Sequence, residues 1–235
     1  MKLEQINKME EKKFVKFKQD ELGIKEYVKH SLGKGRISDV NIEYTPVGEK
    51  IIISTNRPGL VIGKRGEKIE ELTSVLRKRF ALDNPHIDIK EISNEALDAQ
   101  LVADSIAIQL ERKGSLKFKI IAYKALDSIM KAGALGVELA LSGKLPSERA
   151  KTWRFTQGYL KKTGDPSKVV HKATAQARTQ MGVIGIKVSI LPPGAHIHDQ
   201  IKVNDALMHL IQQNKIAEAE RVHAKKPRKK KEASE

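Results

Sequence analysis

Cysteine is absent from all 235 residues. That single absence excludes a disulfide framework, thiol catalysis and cysteine-ligated zinc. Aromatic residues are sparse at 4%, although a hydrophobic fraction of 40% is compatible with folding. No uninterrupted apolar run approaches the roughly 20 residues of a membrane helix. The opening stretch "MKLEQINKMEEKKF" has no apolar signal core. A soluble cytoplasmic protein with no membrane partner is therefore expected. Nor does any repeat recur at a solenoid or propeller period.

Positive charge is what the chain has in excess. Lys and Arg number 44 against 29 Asp and Glu, a formal net charge of +15. Residues 225–235 carry six cations and two anions, so +11 lies outside this terminal run. A balance of this kind favours a polyanionic partner, nucleic acid ahead of a membrane surface. The length allows one large domain or two small ones.

Apolar spacing sets the order of elements. Leu3, Ile6, Met9 and Phe17 predict a helix over 3–17, and Ile24, Tyr27, Val28 and Leu32 a second over 21–32. The basic connection "GKGR" (33–36) follows. Val40, Ile42 and Tyr44 alternate, "KIIIST" is a short apolar strand, and Gly48 between them predicts an antiparallel pair. Ile69, Leu72, Val75, Leu76 and Phe80 return to helical spacing. "HIDIKEI" (86–92) reads as a third strand, and 95–112 as a strong amphipathic helix with Asn94 as candidate N-cap. Gly114 marks a boundary. Beyond it come a helix over 116–131 and four strand candidates: "GALGVELALSG", "AKTWRFTQGY", "VVHKATAQART" and "GVIGIKVSIL". A last helix near 204–222 and a disordered basic tail complete the reading.

Between the apolar strand and the third strand sits "VIGKRGEKIEEL", residues 61–72. Phosphate recognition needs close donors, positive potential and little steric bulk. Gly63 and Gly66 permit close approach and unusual backbone angles, while Lys64 and Arg65 supply charge between them and Lys68 adds more. The following helix start contributes unpaired N–H groups and the positive end of its dipole. That is the logic of the KH domain, whose GXXG loop clamps about four nucleotides of backbone. A phosphate-binding Walker loop would require glycine at 58, which is Pro58, and Ser or Thr where Arg65 stands. A dinucleotide fingerprint would require glycine at 61, which is Val61. A plain solvated turn between helices is the competing reading of the same four residues.

Four segments together resemble one family. "PGLVIGKRGEKIEEL", "LDAQLVADSIAIQLER", "SGKLPSERAKTWRFTQGYL" and "GVIGIKVSILPPG" occur in the order found in ribosomal protein S three of the small subunit, archaeal and eukaryotic type. The resemblance implies an α+β chain. Residues 1–16 would be an N-terminal helix, and 17–112 a type II KH domain with a three-stranded mixed sheet and helices on one face. Residues 113–198 would be a second α/β sandwich domain with a roughly four-stranded sheet, and 199–235 a C-terminal helix and basic tail. It further implies a place in the head of the small subunit, bound to its rRNA near the channel by which mRNA enters. Proteins of the S ten and S fourteen families would be neighbours. One departure stands out. Bacterial relatives cluster cations at the start of the second domain, whereas 118–124 here keep only Lys119 and Lys124, which argues against a strong helicase-like role.

Further cations are candidates for phosphate-positioning contacts: Lys34 and Arg36 in the first basic connection, Lys117, Lys119 and Lys124 around the 116–131 helix, Arg149, Lys151 and Arg154 around Trp153 and Phe155, and Lys172 and Arg178 on a strand. In "VVHKATAQART", Lys172, Thr174, Gln176 and Arg178 alternate against a small apolar face. Trp153 and Phe155 share a strand face and read as core, which removes them as base-stacking candidates. His196 and His198 form an H-x-H pair without a third ligand at metal spacing, and no cofactor, metal site or catalytic residue is expected. A free-standing KH regulator would share the loop without needing the second-domain segments. An enzyme acting on nucleic acid finds no H-x-E motif, carboxylate cluster or nucleotide loop to support it.

Overall fold

A computed structural model describes residues 2–195 apart from positions 47, 81 and 83, with the backbone alone for 2–10. The helix expected near 204–222, the basic tail and the His196/His198 pair lie outside the described residues. The chain begins with α1 (Lys2–Leu32), then β1 (Ile37–Thr45) and β2 (Gly48–Thr55). Next come α2 (Pro58–Ile62), α3 (Glu67–Phe80) and β3 (His86–Glu91). The second part holds α4 (Ala99–Lys113), α5 (Phe118–Lys131), β4 (Gly136–Lys144), β5 (Ala150–Gly158), β6 (His171–Thr179) and β7 (Gly182–Leu191).

The first sheet is mixed, as expected: β2 pairs antiparallel with β1 and parallel with β3. Ile24, Val28 and Leu32 of α1 and Leu72 and Leu76 of α3 bury against Ile51 and Ile53 of the central strand. One residue is extra in β1, where the register slips between Ile37 and Val40. The bulge lets two side chains three positions apart both reach the core, which strict alternation would forbid.

Two expectations change here. The helices predicted over 3–17 and 21–32 are one, α1. Glu21 bridges the supposed gap, taking Lys18 at 2.6 Å and Lys25 at 2.8 Å. Gly23 is tolerated inside the helix because a Cβ there would come within 3.0 Å of the Phe80 ring. Secondly, the fourth helix starts later than 95. Glu95–Leu97 form a single 3-10 turn, and Asp98 rather than Asn94 caps α4 by accepting from the N–H groups of Gln100 and Leu101. Such a cap is worth about 1 kcal/mol.

The second sheet has the order β5-β4-β7-β6, antiparallel throughout. Its inner face, with Leu139, Leu141, Ile184, Ile186 and Val188, packs against Ala103, Ile106, Ala107 and Leu110 of α4 and against Phe118, Ile121 and Leu126 of α5. Trp153 and Phe155 belong to this layer, as their shared strand face suggested. Phe155 is buried, and Trp153 donates its indole N–H to Leu145 O at 3.1 Å.

Helix α4 also reaches back to the first part. Asp98 accepts from the Ser38 hydroxyl. Asp104 accepts from the Gly35 N–H at 2.9 Å and from Gln100 at 3.2 Å. Glu111 accepts from the Arg178 N–H at 2.9 Å and pairs with Lys34 at 3.4 Å. The Glu111 carboxyl is held below its usual range by the Arg178 N–H, with Lys34 adding to the effect. Asp104 moves the other way. Only 8% exposed, it is pushed up by burial, with the Gly35 N–H and Gln100 opposing.

A carboxyl whose pKa rises on folding stabilises the fold most when protonated. The benefit is present below the unfolded value of 3.8 and is lost as pH rises through the folded one. Wild-type stability relative to Asp104→Asn should therefore decline as pH rises above the ordinary value of 3.8. Urea unfolding at several pH values measures this, and a pH-independent difference would contradict it.

Candidate nucleic-acid interface

The segment Gly63–Gly66 joins two helices. Pro58 and Gly59 begin α2, where the fixed φ of proline suits the first helical position. Gly63 closes α2 by donating its N–H to Gly59 O at 3.1 Å. Its φ of 76° and ψ of −173° lie in a region open almost only to glycine. A Cβ there would also stand 2.8 Å from Lys68 Cγ.

Arg65 has φ 56° and ψ 20°, making it the one non-glycine residue with positive φ among the described residues. Left-handed geometry costs an L-residue roughly 1–2 kcal/mol. Lys64 and Arg65 are both exposed on this turn. Space beside Gly66 is open, with no heavy atom within 4 Å of a Cβ built on it. The loop is a projecting bend with accessible backbone. Glu67 and Glu70 occupy the first turn of α3, so the dipole there is already partly neutralised. Favourable potential is concentrated on the Gly63–Arg65 side.

The other candidate cations fall into three places. Lys34 and Arg36 lie in the 33–36 loop, but Lys34 turns inward to Glu111 and to Gln176 O at 3.0 Å. Lys117, Lys119 and Lys124 are exposed along α5 and its preceding turn, and Lys119 stands 4.9 Å over the Trp153 ring. Arg149 precedes β5, an edge strand that carries Lys151 and Arg154, while Lys172 and Arg178 are exposed on the opposite edge strand, β6. Apart from Lys34, none of the thirteen candidate cations has an acidic partner within 4 Å among the described residues.

Register shows how far the sheet cations converge. Arg154 lies opposite Ala140, Ala140 opposite Lys187, and Lys187 opposite Thr174. Arg154 and Lys187 therefore share one cross-strand row on the outer face, flanked on β6 by Lys172 and Arg178. Lys187 was missing from the sequence reading. Its alternation with the buried Ile184, Ile186, Val188 and Ile190 was the signal that places it outward. The described residues hold no group of three His, Asp or Glu placed to bind a metal, and no described helix is long and apolar enough to cross a membrane.

Comparison with known proteins matches both parts. The family described as ribosomal protein S3, C-terminal domain, matches residues 106–190, and the KH domain family matches residues 23–97. Relatives called small ribosomal subunit protein uS3 cover most of the chain. The one from Methanocaldococcus jannaschii is 44% identical over 84% of this chain and 94% of its own length. Those from Methanobrevibacter smithii and Methanococcus aeolicus are each 35% identical, over 90% and 84% of this chain and 84% and 94% of their own.

The backbone at Arg65 can be tested without any ligand. At a left-handed position glycine should be preferred over alanine, the reverse of their order in a helix. Arg65→Gly should exceed Arg65→Ala in stability by about 1 kcal/mol. Denaturant midpoints report this directly, and an alanine variant of equal or greater stability would refute the assigned geometry.

Proposed function

The chain belongs to the uS3 family of small ribosomal subunit proteins, and from that premise we propose that it binds small-subunit rRNA in the head of the subunit. The observation that carries the proposal is the projecting Gly63–Gly66 bend, with two unpaired cations held outward by a glycine-only corner and a left-handed arginine. A sugar-phosphate strand crossing this bend meets backbone without side-chain bulk and two positive charges on one side. Its first contacts are electrostatic and sequence-independent.

Lys68, Arg36, the α5 cations and the outer-sheet row extend the contact surface. These groups position phosphates and carry little base information. Lys119 and Lys124 would be the contribution to the channel by which mRNA enters, a contribution of orientation rather than of strand separation. Neighbours of the S ten and S fourteen families and a cytoplasmic ribosomal location complete the proposal. The role is structural, with no turnover. A free-standing KH regulator would explain the loop but leave the second domain without a task.

Lys64→Asp combined with Arg65→Asp should remove most affinity for small-subunit rRNA fragments while leaving circular dichroism and melting nearly unchanged. Wild-type affinity should fall by about 10³–10⁵ between 50 and 200 mM salt if some 6–10 phosphates are contacted. Undiminished binding by the double variant, or a flat salt response, would count against the clamp. On a sucrose gradient of cell lysate the protein should follow the small subunit stoichiometrically. Accumulation in light fractions would favour the regulator instead.

A further inference from the structure

A cleft of about 630 Å³ opens between the 33–36 loop, the start of α2 and the sides of α4 and α5. It is separate from the glycine bend, since its residues at 56–60 lie where α2 begins and Gly63 follows that helix's other end. Five cations line it, Lys34, Arg36, Arg57, Arg112 and Lys124, against one acid, Glu95. Only Lys34 has an acidic partner within 4 Å among the described residues. Beside this charge the wall mixes apolar Leu60, Leu101, Ile108 and Ala125 with the polar Ser105, Gln109 and Ser128. Asn56 lines the same wall, and its Oδ1 is closed off from solvent without a hydrogen-bond donor.

Apolar patches beside a mainly cationic rim suit a ligand with flat apolar parts strung on anionic links. Single-stranded RNA has that construction. A duplex does not, because its bases are hidden in the stack and only phosphates and groove edges are offered. The volume lies within the roughly 300–1,000 Å³ typical of small-ligand sites, so it admits a few nucleotides and excludes a helix. Arg57 follows β2 of the first sheet, whereas Arg112 ends α4, which packs on the second. A strand held by both bridges the two parts of the chain.

We propose that this cleft is a second RNA site that takes an unpaired segment of a few nucleotides. Arg57 and Arg112 hold its phosphates, and the wall formed by Leu60 and Ile108 covers a base. The inference rests on the rRNA-binding reading above and adds to it a location, two residues and a preference for unpaired RNA. Neither arginine stood out in the sequence, because each is isolated in its own stretch and only the fold brings them to one cleft.

The test uses the full chain, an unstructured oligouridine carrying 4-thiouridine, and a blunt RNA duplex of similar length. Arg57→Gln with Arg112→Gln should weaken single-strand binding about 10- to 100-fold and lower the salt slope by about 1.4, roughly 0.7 per lost cation. Duplex affinity should change much less. Photocrosslinks on the unmutated chain should include the 101–112 segment. Both arginines are exposed, and the crosslinking arm does not depend on how the variant folds. Unchanged binding in this variant alongside loss in Lys64→Asp/Arg65→Asp overturns the second site and leaves the rRNA reading intact. Crosslinks confined to 63–68, or an equal loss for duplex, overturn it as well. If both variants bind like wild type, the rRNA reading itself falls and takes the cleft with it.

Discussion

Three carboxylates on one helix hold this molecule in its working arrangement. Asp98, Asp104 and Glu111 recur along α4 and fasten it to Ser38, Gly35 and Lys34 in turn. The opposite side of the same helix is core to the second sheet. One rigid element is therefore core to the second sheet and polar anchor to the first part, and the loop between α1 and β1 is pinned against it. Gly35 is fitted to this role. Its φ is +76°, and a Cβ there would come within 3.0 Å of Ile108 Cδ1. Burial of Asp104 opposes the arrangement, yet a buried carboxylate left without its donors would cost more than the ones it has. The 33–36 loop that this fastening pins is also a wall of the cleft that holds Arg57 and Arg112.

Charge is distributed with the same economy. The ion pairs that form, such as Lys50–Asp88 at 2.8 Å and Lys131–Asp127 at 2.7 Å, are exposed or half-exposed and worth about 0–1 kcal/mol each. These two use acids away from the glycine bend, the outer sheet face and the cleft. In the cleft five cations still face one acid, Glu95. Self-repulsion of this kind lowers the stability of the isolated chain, and a polyanion laid across the surface removes the penalty. The fold is consistent with a protein whose electrostatics are completed by its partner.

Much of this was legible before the fold was known, and the omissions have physical causes. Period-two and period-3.6 spacing located all seven strands and the main helices, because each has one face in a core. The join inside α1 was misread because a charged stretch looks like a linker, while the Lys18–Glu21–Lys25 bridging that sustains the helix spans several residues. Asn94 was a plausible cap by type. Asp98 won because its side chain can satisfy both N–H groups and Ser38 at once. The bulge at Ile37–Val40 broke alternation and hid Ile37 from the pattern. Among the proposed contact residues, the glycine bend is the one that type and spacing single out. Lys187 needed only the alternation of its strand, but Arg57 and Arg112 required knowledge of which elements meet.

The left-handed arginine bears most directly on function. Glycine at 65 would relieve the backbone, and Gly63 and Gly66 show that this turn already uses glycine on either side. A strained residue persists where its surroundings over-determine the backbone and its side chain has a use. Here the surroundings are the fixed ends of α2 and α3, and the side chain is an exposed guanidinium with no partner in the described chain. On the proposed reading the helix dipole alone is not what attracts the phosphate, since Glu67 and Glu70 already occupy that field. Attraction must come from side chains ahead of the helix. Arg65 makes a left-handed step and stays exposed without an ion pair to those acids, so the strain and the placement of charge belong to one turn.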